Sequence, residues 1–220
     1  MAVKIVRQPK KIALIGAPSS AAAFSAGSEK APAALRAAGL ADKLQTAGYE
    51  VVDYGDCAPR LFADDDEHRR ARNLTEIVAG LNDLKIRVEL AVKSGALVLV
   101  LGGDCAQVIG LLSGARRYYK HVNLLWFDRD ADLNTPASTP SGRIDGMVVA
   151  HIIGNQYLTG LLPAYSLLLF ETRQNELAQL PVTSGLPLVY LEQGSFVIIA
   201  ACCALSAYVQ FLRKEYQGKN

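Results

Sequence analysis

Three aspartates at alternate positions, Asp128, Asp130 and Asp132, follow the apolar run VNLLWF (122–127) within the stretch WFDRDADLN. A short charged turn needs only one acid, so three at this spacing are a candidate cation cradle. Side chains of an extended segment point the same way at every second residue, and the three carboxylates share one face if the strand runs on through them. Oxygen donors on one face suit a hard divalent ion such as Mn, Mg or Ca. A solvated acidic loop is the alternative, and this stretch alone leaves both readings open. An EF-hand fits less well: Leu133 stands where its loop needs glycine, Thr139 where it needs glutamate, and a strand precedes the run.

The elements that must position these acids alternate along the chain. IALIGA (12–17) reads as a buried strand, and Pro32 to Ala47 as a helix opened by proline in its first turn and stopped at Gly48. EVVDYGD (50–56) is the next strand. From Arg72 to Ser94, Ile77, Val78, Leu81, Leu84, Ile86, Val88, Leu90 and Ala91 recur near helical spacing until Gly95. ALVLVLGG (96–103) lacks polar alternation, as a strand covered on both faces does. A helix over Ala106 to Tyr118 and the strand 122–127 follow. This order predicts an α/β fold, a parallel sheet flanked by helices on both faces, formed as one domain over residues 1–220. Ligands of open parallel sheets gather beyond the carboxyl ends of strands. Asp104 follows one strand and the three aspartates follow the next, so the acids are expected to converge.

Composition narrows the function. Lys and Arg number 23 against 21 Asp and Glu, a net charge of +2, which supplies no broad field for nucleic acid or acidic membranes. Small-molecule chemistry is the better expectation. Cysteines at 57, 105, 202 and 203 make a poor disulfide framework and fit no zinc ribbon, which points to a reducing compartment. The amino-terminal apolar run is too short for a secretory signal, so the expected location is the cytoplasm. Phe196 to Leu212 is apolar apart from Ser206 and Gln210. Its length approaches a membrane span, but a helix buried against the sheet explains it equally well. An altered end that leaves an apolar patch open to oligomerisation is a third reading. YSLLLFE (165–171) and LPLVYLE (186–192) read as further strands.

Other conspicuous residues have plain explanations. Cys57 reads as a packing residue, with no histidine close in sequence to activate it. His151 reads as packing or capping, and His68 and His121 fall in polar loops. Arg116, Arg117 and Lys120 beside Tyr118 and Tyr119 read as a solvated helix end rather than a nucleic-acid patch.

Three motifs in order, LVLGGDCAQVIG ending at Gly110, WFDRDADLNTPASTPSG (126–142) and IDGMVVAHIIG (144–154), resemble the core of the arginase and agmatinase family, the ureohydrolases. IGAPSS and the stretch 29–56 are similar to that family as well, so the resemblance covers roughly residues 11 to 154. It implies a three-layer α/β/α fold and a two-manganese centre that activates water against a guanidinium or amidine carbon. Position by position, Asp128 would bridge the metals, Cys105 and Asp132 would complete one site, and Asp130 would serve the other. Asp145 would occupy the catalytic place of a proton-shuttling histidine. Asn134, Thr139 and Ser141 would bind the amino-acid end of a small guanidino substrate.

The departures carry their own expectations. Cys105, Asp130 and Asp145 each stand where the family has histidine. A thiolate at 105 is softer than imidazole and favours zinc over manganese, whereas a carboxylate at 130 is harder. An aspartate at 145, with an ordinary pKa of about 3.9, is a poor proton donor at neutral pH unless burial raises it strongly. The family also takes two ligands from a late Asp-x-Asp pair, and no aspartate follows Asp145 in these residues. These losses predict at most one firmly held ion. They leave two functions open: an impaired hydrolase acting on L-arginine or a similar compound, and a catalytically inactive member that keeps the fold for binding or for assembly as a homo-oligomer.

Overall fold

Strand β1 (Lys11–Gly16) runs between β2 (Glu50–Asp56) and β3 (Leu97–Leu101), parallel to both. The computed structural model describes residues 8, 10–119, 122–128, 130–153 and 196–201. Successive side chains of β1 point to opposite faces, and each face is covered. Ile12 and Leu14 pack with Leu35, Leu40 and Leu44 of two short helices, α1 (Ala31–Ala37) and α2 (Leu40–Thr46). Ala13 and Ile15 pack with Leu84, Val88, Ala91 and Val92 of α3 (Leu74–Lys93). Three layers result, helices on a parallel sheet on helices, as expected. Burying each Leu, Ile or Val in these layers is worth about 1.5–3 kcal/mol.

The chain passes from β1 to β2 over one face and from β2 to β3 over the other. The carboxyl ends of β1 and β3 therefore flank the point where the winding reverses, the usual place for a ligand in such sheets.

Helix α4 (Gln107–Arg116) lies on α3, and two glycines set how closely. A Cβ on Gly114 would sit 2.7 Å from the Val88 Cβ, and one on Gly110 3.0 Å from the Leu81 carbonyl oxygen. This close fit fixes the start of α4 and so the turn that precedes it. Strand β4 (Val122–Phe127) pairs in parallel with β5 (Phe196–Ala201), Val122 opposite Phe196 and Phe127 opposite Ala201. Val122, Leu124 and Trp126 pack against the core that α3 and α4 form with α5 (Val148–Ile152).

The structure departs from the simplest reading at three places. The helix predicted over 32–47 is broken in two because Gly39 adopts φ 73°, a left-handed conformation that glycine enters without strain and that ends α1. Ile86 and Leu90 of α3 face outward, since the buried stripe is Ile77, Leu81, Leu84, Val88, Ala91 and Val92. The start of the apolar tract 196–212 is a strand, not a helix, in keeping with the β-branched Val197, Ile198 and Ile199. Among the described residues no helix is long and apolar enough to cross a membrane. The strands expected at 165–171 and 186–192, His121, and Cys202 and Cys203 lie outside the described residues.

Candidate metal centre

Beyond β3 the chain turns through Gly102 to Ala106 before entering α4. Gly103 passes so close to Ser19, in the loop after β1, that a Cβ there would collide with the Ser19 backbone. That approach lets the buried Asp104 carboxylate accept hydrogen bonds from Ser19 Oγ (2.5 Å), Gln107 Nε2 (3.0 Å) and the Ala22 amide (3.2 Å). Burial pushes the Asp104 carboxyl above the usual range, and these three bonds oppose the shift. The turns after β1 and β3 are thus stitched together.

A third segment joins them. Asp145 sits on a single 3-10 turn, Ile144–Met147, just ahead of α5. Its amide donates to the Ala22 carbonyl at 3.4 Å, and its Oδ1 accepts the Cys105 amide at 2.7 Å. Burial raises its pKa to about 7, helped by the negative charge of Asp104 and opposed by hydrogen bonds from Cys105. The condition for a proton donor at this position, strong elevation by burial, is present.

The segment after β4 departs from the expected alternation. The strand stops at Phe127, and Asp132 adopts φ 50°, in the left-handed region that a residue with a side chain rarely enters. The Asp132 carbonyl, accepting the Ala150 amide at 3.1 Å, holds this bend. Asp132 is turned inward and buried, while Asp130 is exposed, its amide 3.5 Å from Asp128 Oδ1. A bend rather than a pleat brings Asp128 and Asp132 together. Ligand atoms of Cys105, Asp128 and Asp132 all lie within 4.8 Å of one another, and the Cys105 thiol donates to Asp128 Oδ2 at 3.4 Å. Asp130 is not part of this group.

The electrostatics suit a cation. Burial raises the Asp132 pKa to about 7, and the charges of Asp128, Asp145 and Asp130 add to the effect. Its Oδ2 is buried with no hydrogen-bond partner among the described residues. A buried carboxylate oxygen beside like charges and without a donor is costly. A divalent cation would remove both penalties, so these residues fit one ion.

The three residues expected to bind substrate share one compact loop. The Asn134 amide donates to the Gly146 carbonyl at 3.1 Å, which sets Asn134 against the residue after Asp145. Thr139 Oγ1 accepts the Gly142 amide at 2.9 Å and lies 3.5 Å from Ser141 Oγ. Two arginines strap this loop to residues 62–72. The Arg143 guanidinium donates to the Ala63 carbonyl and to Asp64 and lies 4.4 Å from the centre of the Phe62 ring. Arg72 Nε donates to the Ser141 carbonyl at 3.0 Å. Neither arginine was expected from sequence, and only the basic residue just before IDGM hinted at Arg143. Ser19, Asp104 and Gln107 were also missed as a network, although IGAPSS and GGD both stand in the motifs.

The plain readings elsewhere fit. His151 is wholly buried, neither ring nitrogen has a partner among the described residues, and burial lowers its pKa to about 4. Cys57 is buried, and that burial, with Asp83 nearby, raises its thiol to about 11. His68 is exposed and contacts Asp65 at 2.9 Å.

A three-stranded parallel sheet between helices, beside a second parallel pair β4–β5, with thiol and carboxylate donors gathered beyond the ends of β3 and β4, defines a class of α/β/α proteins with a candidate cation site at strand ends. Within that class the chain belongs to the arginase family, whose family model matches residues 10–174. It is 38% identical to arginase-1 of Rattus norvegicus over 146 residues, 66% of this chain and 45% of that protein. It is 35% identical to the arginase of Bacillus caldovelox over 149 residues, 66% of this chain and 49% of that protein. The crystal structure of the Entamoeba histolytica arginase in complex with L-ornithine is similar at a TM-score of 0.62 and 28% identity, covering 71% of this chain and 54% of that one. The chain spans about half the length of the curated relatives it matches.

Proposed function

We propose that this chain is an arginase-type hydrolase unit that holds one divalent cation between Cys105, Asp128 and Asp132 and acts on a small guanidino compound. The observation that carries the reading is the buried, unpartnered Oδ2 of Asp132 within a three-donor cluster. A bound ion would supply activated water at neutral pH and polarise the substrate. Water adds to the guanidinium carbon, a C–N bond breaks, and urea and an amine leave. Asp145, lifted to about 7 by burial, is suited to pass a proton to the departing nitrogen. Asp130, exposed at the rim, adds negative charge that attracts a cationic substrate. Asn134, Thr139 and Ser141 would meet the amino-acid end of L-arginine, in line with the L-ornithine bound by the Entamoeba relative.

Manganese is the metal implied by the family, but the Cys105 thiolate tilts this site toward zinc or cobalt. A reducing compartment such as the cytoplasm suits the free thiols Cys57 and Cys105. A second reading, a non-catalytic member kept for binding or assembly, is favoured by one observation: Asp130, replacing a family histidine, stays out of the cluster. Urea release from L-arginine and agmatine with Mn, Zn or Co decides between them. Turnover lost in Asp128→Ala supports the hydrolase, and no turnover with any metal leaves the binding reading.

A further inference from the structure

We propose that Asp145 is also a positioning residue, latching the turn after β3 through the Cys105 amide and thereby aiming the Cys105 sulfur at Asp128 and Asp132. Three chain segments meet in a closed ring of hydrogen bonds. The Cys105 amide donates to Asp145 Oδ1 at 2.7 Å, the Asp145 amide to the Ala22 carbonyl at 3.4 Å, and the Ala22 amide to Asp104 Oδ2 at 3.2 Å, next to Cys105 again. The Cys105 amide lies ahead of α4, where no helical carbonyl is in reach, and Cys105 is buried. A buried amide there requires an acceptor from elsewhere in the fold, and Asp145 provides it with a carboxyl oxygen. The latch is rigidly borne, because Ile144, Met147 and Val148 around it are fully buried in the core shared with α3 and α4. Sulfur direction follows from the backbone turn, so a displaced Cys105 amide swings Sγ away from Asp128. What the latch needs is an acceptor oxygen at this place, not a negative charge, and an asparagine can supply one.

The contact stands by itself, and only its consequence for a bound ion rests on the one-ion reading above. The test compares the 220-residue chain with its Asp145→Asn and Asp145→Ala variants. Amide hydrogen exchange at Cys105 is read by NMR without metal, and cobalt is titrated while following its thiolate-to-metal charge-transfer band. Asp145→Asn is expected to keep Cys105 protection and cobalt affinity within about threefold, whereas Asp145→Ala loses at least about tenfold of each, the scale of leaving one buried amide without its acceptor. Amides of β1 and α3 report global stability in the same spectra. A loss confined to 104–106 supports the latch, and a loss shared evenly across the chain overturns it. Equal Cys105 protection in wild type and Asp145→Ala, or Asn and Ala variants that behave alike, also overturns it. A wild type that gives no cobalt band removes the one-ion reading, while the exchange data still decide the latch.

Discussion

The Ser19 hydroxyl donates to the Asp104 carboxylate at 2.5 Å across 85 positions of sequence, binding the turn after β1 to the turn after β3. The bond exists only because Gly103 has no side chain to hold the two turns apart. The carboxyl ends of β1 and β3 are thus locked at the point where the winding of the sheet reverses, and Cys105 is set by that lock.

Gly103→Ala is expected to destabilise the protein by about 1–3 kcal/mol, because its Cβ meets backbone, which cannot swing aside as a side chain does. Urea unfolding reads the loss. Cobalt or zinc affinity should fall with it, and a variant as stable as wild type would contradict the close approach.

Acid should favour the metal-free protein over part of the pH range. Asp132 has a folded pKa of about 7, against about 3.9 in an unfolded chain. Between these values the folded state keeps a proton that the unfolded state has released. Stability from this group is therefore complete below the unfolded value and is lost as pH rises through 7. Asp145, raised to about 7 as well, acts in the same direction, and the two carboxyls outweigh the opposite effect of His151, so thermal melts in chelator should fall by roughly 5 °C or more from pH 5 to pH 8. Saturating zinc should reverse the trend, since the ion displaces the proton, and Asp132→Asn should weaken it, leaving the like contribution of Asp145.

His151 works in the opposite direction. Its folded pKa of about 4 lies below the ordinary value of 6.5, so the unfolded state gains a proton first as pH falls. Stability is full above 6.5 and lost on acidification toward 4. His151→Leu removes an unpartnered buried imidazole and should raise stability at pH 7 by about 1 kcal/mol. The gap over wild type should widen by up to roughly 3 kcal/mol between pH 6.5 and pH 4. A gap that does not change with pH would place His151 in contact with solvent.

Cys105→His should change metal preference without abolishing binding. Imidazole is a harder donor than thiolate, so affinity for zinc over manganese should narrow by at least about tenfold. Competition against a chromophoric chelator measures both ions. Asp128→Ala, which removes a central donor, should abolish binding of either.

Much of the frame was legible in the sequence because local chemistry and global packing agree there. The bounds of β2 and β4 match the runs EVVDYGD and VNLLWF residue for residue. The stop at Gly48 and the end of α3 before Gly95 follow from the same glycine logic. Gly39 was overlooked inside a good helical pattern, since periodicity does not report which glycine turns left-handed. Cys105, Asp128 and Asp132 were found through their motifs, but strand alternation, the reason offered for Asp128 and Asp132 sharing a face, was not the operative one. The φ of Asp132 depends on a carbonyl bond to Ala150, a partner 18 positions later that spacing rules do not see. The arginine straps are hidden for the same reason: Arg143 pairs with Asp64 across 79 positions.

Strand β5 finds its partner β4 across a long stretch of chain, whereas β1, β2, β3 and the helices between them close within the first 116 residues. As the polypeptide leaves the ribosome, the three-stranded layer and its helical covers are complete before Phe196 is made. The loops bearing Cys105, Asp128 and Asp132 all emerge before β5 does, so β4 and the acids behind it must wait for an edge that arrives late.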